Sequence, residues 1–206
     1  LGQEAFQSNY EYLSSGAVGF PFAGNEYMVA ASTPDDAYSY RSEEALISYF
    51  SEFKYDFSDK YYLSASVRQD GSSVFGEDYR WGTFWSVGAT WRLSQEDFIA
   101  NVDWINDLKL RSSYGTSGNN SIGNYASLGL YSLGYNYNGK PGLLYDQLQN
   151  PDLKWEAGYT FDVGLEFSLF NNRLDGVIDY YKRGSDDLLF DRPLSYTTGF
   201  EDITTN

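Results

Sequence analysis

The sequence of 206 residues contains no cysteine and no histidine, and has one methionine and five prolines. Without His or Cys, the Ser-His-Asp and Cys-His nucleophile systems and the common zinc sites are excluded. No disulfide can form, so cysteine usage is silent on redox compartment. Basic residues are scarce: 14 Lys and Arg stand against 29 Asp and Glu, a formal net charge of −15. That balance argues against a polyanionic partner such as nucleic acid. Long apolar runs are also missing. Tyr27, Met28, Val29, Ala30 and Ala31 make the longest, where a membrane helix needs about 20 residues. A helical membrane protein is thereby excluded, but a membrane β-barrel is not, because its signal never takes that form. The chain opens on Leu1-Gly2 without a basic or apolar leader and closes on Ile203-Thr204-Thr205-Asn206. Both ends read as cut, and the expectation is an internal piece of a longer chain.

Aromatic residues are what the sequence has in plenty, at 19%. Six segments alternate with the period of a strand: 45–57, 61–70, 84–93, 108–114, 155–169 and 173–181. The clearest sets Ala157, Tyr159, Phe161, Val163, Leu165 and Phe167 against Glu156, Thr160, Asp162, Glu166 and Ser168. Across all six, the charges Glu52, Lys54, Asp56, Arg68, Arg92, Lys109, Arg111, Glu156, Asp162, Glu166, Asp175 and Asp179 lie opposite the apolar face. Lys182 has the wrong parity if the last strand runs that far, which puts it beyond the apolar band.

Alternation does not name what covers the apolar side. A secreted β-sandwich buries it in a core; a membrane barrel shows it to lipid. Three features favour lipid. Several segments have the roughly 10 residues that a tilted strand needs to cross a bilayer. Aromatics crowd the segment ends (Tyr55, Phe57, Tyr61, Trp85, Trp91, Trp155, Phe167, Phe170 and Tyr180), as in the girdles of barrels. The connections alternate in length, with short ones at Ser58-Asp59 and Asn171-Asn172 and an intermediate one at 94–107. Within that intermediate span, residues 95–99 could form a helical turn. Long ones span 7–43, 71–83, 116–154 and 184–202. Placing the shorter set on the periplasmic side makes every long loop external.

Several blocks then resemble one family. Lys60-Tyr61-Tyr62-Leu63, Asp70-Gly71-Ser72-Ser73 with Phe75-Gly76, and Arg80-Trp81-Gly82-Thr83-Phe84 come first. Ser113-Tyr114-Gly115, Gly118-Asn119-Asn120, Asn150-Pro151-Asp152-Leu153-Lys154-Trp155-Glu156 and Leu169-Phe170-Asn171-Asn172-Arg173-Leu174 follow in order. Together they resemble the barrel of SusC-like TonB-dependent transporters, nutrient importers of Bacteroidetes outer membranes. The resemblance implies an all-β fold, an antiparallel transmembrane β-barrel of 22 strands with an N-terminal plug. Residues 1–206 would supply six to seven of those strands within a single barrel domain, with plug and TonB box outside this chain. It also implies outer-membrane lipid around the wall, a SusD-like surface lipoprotein as lid, and energy from the TonB complex acting through missing N-terminal regions. The cargo would be a bulky glycan or peptide.

Most motifs have a structural reading. Asp70-Gly71-Ser72-Ser73 has the makings of a turn. Asn150-Pro151-Asp152 restricts the backbone before Trp155, which fits the outer aromatic girdle. Glu156, Asp162 and Glu166 are no glycosidase pair, since residues 162 and 166 on one strand are about 13 Å apart. Asp35-Asp36 and Asp186-Asp187 lack an EF-hand pattern and read as solvated loop charge rather than a calcium site. No catalytic, cofactor or metal residue is expected, and the protein is not expected to be an enzyme. Candidate substrate or lid contacts are Tyr125, Tyr131, Tyr135 and Tyr137 in the uncharged stretch of the long loop, where phenol rings can stack on sugar faces. Tyr10, Tyr12, Phe20, Phe22 and Tyr27 in the first long loop add to them. The rival to the importer is a secreted, aromatic-rich β-sandwich that binds glycans.

Overall fold

The computed structural model describes residues 1–24 and 27–206. Strands dominate it: β1 (Gly2–Val18), β2 (Thr33–Phe57), β3 (Tyr61–Ser72), β4 (Trp81–Arg92), β5 (Ile105–Asn119), β6 (Leu130–Tyr137) and β7 (Lys140–Gln147) come first. They are followed by β8 (Glu156–Leu169), β9 (Leu174–Asp186), β10 (Phe190–Pro193) and β11 (Asp202–Thr205). A turn of α-helix, α1 (Asp97–Ala100), sits between β4 and β5 where residues 95–99 suggested one. Among the described residues no helix is long and apolar enough to cross a membrane.

Seven strands form one antiparallel sheet in the order β1-β2-β3-β4-β5-β8-β9. The hairpins β6-β7 and β10-β11 are separate excursions from it. All six expected strands are present, and most run further than their alternation suggested. Strand β5 extends from Ile105 to Asn119 rather than 108–114, because its outer part alternates Gly, Ser and Thr instead of apolar residues.

One expectation fails outright. Residues 7–43 are not a long loop: most of them belong to β1 and to the first part of β2. These strands pair without interruption from Gly2↔Phe50 to Gly16↔Asp36, shift register by one residue, and end at Val18↔Thr33. Asn25 and Glu26, at the tip, lie outside the described residues. The long loop 116–154 likewise contains the hairpin β6-β7, and 184–202 contains the end of β9 and the whole of β10.

The two short turns are set by residues in the left-handed region. Ser58 and Asp59 have φ of 56° and 55°, and the Asp59 amide donates to Asp56 Oδ1 at 3.1 Å. At the second turn Phe170, Asn171 and Asn172 all have positive φ. Asn adopts this conformation readily, but for Phe170 it costs about 1–2 kcal/mol. The Phe170 amide donates to the Trp104 carbonyl at 2.8 Å, and its ring stacks on Trp104 at 5.9 Å. Both contacts offset that strain.

Among the described residues no second sheet roofs the apolar face. Along its length β8 packs against its ladder neighbours β5 and β9. Phe53 is 61% exposed, and Leu63, Val67, Val87 and Ile178 stand in the open beside it. A sandwich would bury these side chains, so the rival reading is not favoured. The fully buried apolar residues are few, and they lie elsewhere.

Candidate functional site

On the outer face, aromatic rings collect at two levels. Tyr49 and Trp81 stack at 6.2 Å, and Trp85 and Tyr114 at 5.5 Å continue that level toward β5. At the opposite end Tyr61 and Trp91 stack at 6.2 Å, beside Phe57 and the Trp104–Phe170 pair. From Trp81 to Trp91 a strand covers about 34 Å at ~3.4 Å per residue, or about 26 Å of height at a ~40° tilt. That matches the apolar band of a membrane barrel, about 25 Å. Strand β9 runs past Lys182, making it a ladder residue opposite Phe161. It stands on the outer face near the external interface, where a long ammonium side chain can reach headgroups.

The inner face is polar and charged. Arg68 reaches Asp70 at 2.7 Å, Glu4 at 3.0 Å and the Ser48 hydroxyl at 2.9 Å. Further along, Asp107 meets Lys109 at 2.8 Å and Arg92 at 3.6 Å. Arg111 holds Asp179 at 2.7 Å and Glu166 at 3.5 Å. Arg111, Gly164 and Asp179 occupy one row of the sheet, and a Cβ on Gly164 would collide with both charged side chains. The missing side chain therefore lets Arg111 cross β8 to its partner. Each pair is partly exposed and contributes at most about 1 kcal/mol, so the ladder fixes side-chain geometry more than stability. Between the charges, Ser64, Gly88 and Ser113 floor a shallow hollow of about 520 Å³, walled by Lys54, Asp56, Tyr62, Arg111 and Asp162.

The buried core sits at the external mouth. Val74, Phe75, Phe84, Ala126, Leu153 and Trp155 cluster there, with Leu46, Ile122 and Leu189 against them. Trp155 was expected in the outer girdle, and it is not there. Its ring is 8% exposed and packs on Phe75 at 5.2 Å and edge-on to Phe84 at 5.4 Å. Its Nε1 donates to the Arg80 carbonyl at 2.8 Å. The reason is that Trp155 precedes the first residue of β8, so sheet parity does not apply and the chain turns the ring inward over Gly82. Asn150 and Asn206 lock the neighbouring segments by bonding the Thr204 and Lys154 carbonyls.

The family model described as TonB dependent receptor-like, beta-barrel matches residues 1–206. The chain belongs to that family. It is 38% identical over 206 residues to TonB-dependent receptor P39 of Formosa agariphila, covering 96% of this chain and 19% of that protein. It is 37% identical over 169 residues to TonB-dependent receptor SusC of Bacteroides thetaiotaomicron, covering 79% of this chain and 17% of that protein. A solved structure of the RagAB peptide transporter superposes with a TM-score of 0.91 at 33% identity, over 99% of this chain and 23% of that one. The chain thus spans about a fifth of the length of its relatives. It is a seven-stranded wall segment of a SusC-like TonB-dependent receptor barrel, a family of the bacterial outer membrane.

In this receptor wall the four candidate tyrosines do not gather into one site. Tyr125 is half-buried and braces the mouth: its hydroxyl accepts the Glu43 amide at 2.9 Å, and its carbonyl accepts Gln147 Nε2 at 3.0 Å. Tyr131 packs on Tyr145 at 5.0 Å along β6. Tyr135 and Tyr137, also on β6, are exposed. Of the first-loop residues, Tyr10 and Tyr12 lie on β1 and meet Tyr38 and Tyr40 of β2, which sequence reasoning passed over. Their signal was present as Tyr-x-Tyr at 10–12 and again at 38–40. Asp36 is a β2 ladder residue opposite Gly16, and Asp187 pairs with Lys154 at 2.9 Å. Among the described residues no group of three or more potential ligands is placed to hold a metal ion.

Proposed function

We propose that this chain is part of the wall of an importer that carries a bulky solute, a glycan or a peptide, through the outer membrane. Residues 1–206 form part of one barrel domain, and the plug and TonB box belong to other parts of the full-length polypeptide. A surface lipoprotein of the SusD kind closes the mouth, and the TonB complex supplies the energy. The observation that carries the reading is the wall itself: an uncovered apolar band about 26 Å tall, ringed by Tyr49, Trp81, Tyr61 and Trp91 and backed by a charged, hydroxylated inner face. The external rim is consolidated by the Phe75–Trp155 core, which suits a fixed entrance. Such a wall binds and conducts rather than converts.

The test is genetic and biochemical. Growth of the native bacterium on a panel of glycans and peptides is compared with that of a strain lacking the gene and one lacking TonB. Both deletions are expected to abolish growth on the same solute, and the protein is expected in the detergent-soluble outer-membrane fraction. Recovery as a soluble periplasmic protein, or growth unaffected on every solute, overturns the proposal.

A further inference from the structure

We propose that the ribbon formed by β1 and the outer part of β2 carries a saccharide-binding ledge built from Tyr10, Tyr12, Tyr38 and Tyr40. The inference rests on the import reading for the direction of traffic, and it names the solute class. Within the membrane band, the aromatic side of β2 is the outer one, with Tyr49, Phe53, Tyr55 and Phe57. Above the band the aromatic residues change sides. Tyr38 and Tyr40 share parity with Ser48 and Lys54, so they continue the inner face, and Tyr12 lies directly opposite Tyr40. No register shift separates Gly2 from Gly16, so the switch belongs to the sequence and not to a bulge. Tyr40 stands nine residues before Tyr49, about 23 Å above the external girdle at ~3.4 Å per residue and ~40° tilt.

Lipid cannot explain these rings, because they are above the bilayer and on the wrong face. No core within this chain covers them, since each is 41–56% exposed. They touch one another in a continuous row: Tyr10–Tyr40 at 5.7 Å, Tyr12–Tyr40 at 5.4 Å, Tyr38–Tyr40 at 5.8 Å and Tyr12–Tyr38 at 6.2 Å. The electrostatics choose the occupant. Asp36 and Glu44 bound the row on its own face, while Arg41 is on the opposite face, pairing with Glu11 at 3.7 Å. A neutral platform between carboxylates, in a chain of net charge −15, complements an uncharged solute and repels an acidic one. Phenol rings offer flat apolar faces and edge hydroxyls with little entropy to lose, the complement of a sugar's C–H face and its hydroxyl rim. The ledge shares its face of the sheet with Ser48 and Asp70 on the inner side, both of them buried.

The experiment uses the full-length receptor purified in detergent and an immobilised panel of neutral oligosaccharides, oligogalacturonates and peptides. The wild type is expected to capture at least one neutral oligosaccharide. Tyr12→Ser with Tyr40→Ser should weaken that capture at least tenfold, while Tyr12→Phe with Tyr40→Phe keeps it within about threefold because stacking survives. Folding is checked by the heat-dependent gel shift of the barrel. Capture of peptides or acidic sugars alone, capture of nothing, or an undiminished serine variant overturns the ledge. So does a serine variant that loses a co-purifying lipoprotein yet keeps its sugar, since the ribbon would then be a protein-docking surface. TonB-dependent growth separates the two readings: if it persists while the ledge fails, import stands without it.

Discussion

Trp155 shows how much one ring can hold at the mouth. Its indole grips one stretch far away in sequence at three points: Phe75 after β3, the Arg80 carbonyl through its N–H, and Phe84 at the start of β4. Removing a buried Trp costs about 3–5 kcal/mol. In Trp155→Ala, backbone amides of residues 120–129 and 150–155 should therefore exchange with solvent about 100-fold faster, read by hydrogen exchange of the full-length receptor in detergent. Unchanged protection would mean the cluster is not the anchor of the rim. Gly118 tests the same packing from outside, because a Cβ there would run into the Phe84 ring. Gly118→Ala is expected to loosen the same segments to a lesser degree, since Phe84 can shift at a cost of about 1–3 kcal/mol.

At the scale of elements, the periplasmic end of β3 and β4 is stapled by one carboxylate. Glu96 Oε1 accepts from the Tyr61 hydroxyl at 2.7 Å and from Trp91 Nε1 at 3.0 Å, while Lys60 approaches Oε2 at 3.4 Å. The Tyr61 bond first, then the Trp91 bond, holds the Glu96 carboxyl below its ordinary range, and the Lys60 charge adds to this. A carboxylate lowered on folding stabilises the native form above its unfolded pKa, and that contribution is lost as pH falls through the folded value. The staple is therefore intact at neutral pH and opens only in acid, below the ordinary range for a glutamate. Tryptophan emission of the receptor, followed from about pH 6 to about pH 3, should show a transition that Glu96→Gln abolishes. An identical transition in the variant would assign it to another group.

For the whole molecule, the sheet ends in two unpaired edges, β1 and β9, and leaves one apolar face bare. In water neither is tolerable: edges template aggregation and exposed apolar area finds no partner. Residues 1–206 produced alone are expected to give no cooperative thermal melt without detergent, and a cooperative calorimetric transition in plain buffer would contradict this. The same geometry explains which parts were legible. Inside the band lipid acts on one face only, so polar and apolar residues must alternate, and β2, β3, β4, the apolar part of β5, β8 and β9 could be read from that rule. Above the band water meets both faces of β1 and β2. Alternation there loosens to Ser, Tyr, Glu and Asn, and a ribbon passes for a loop.

The amino-acid sequence by itself determined which residues share each face of the sheet and where the two short turns fall, because these follow from period-two chemistry and local φ preferences at Ser58, Asp59, Asn171 and Asn172. Only the tertiary structure decided where Trp155 points and that Tyr12 meets Tyr40. Both depend on register between distant segments, which no local pattern encodes. A side chain outside the ladder is steered by whatever the fold brings beside it, and for Trp155 that was Phe75 and the gap at Gly82.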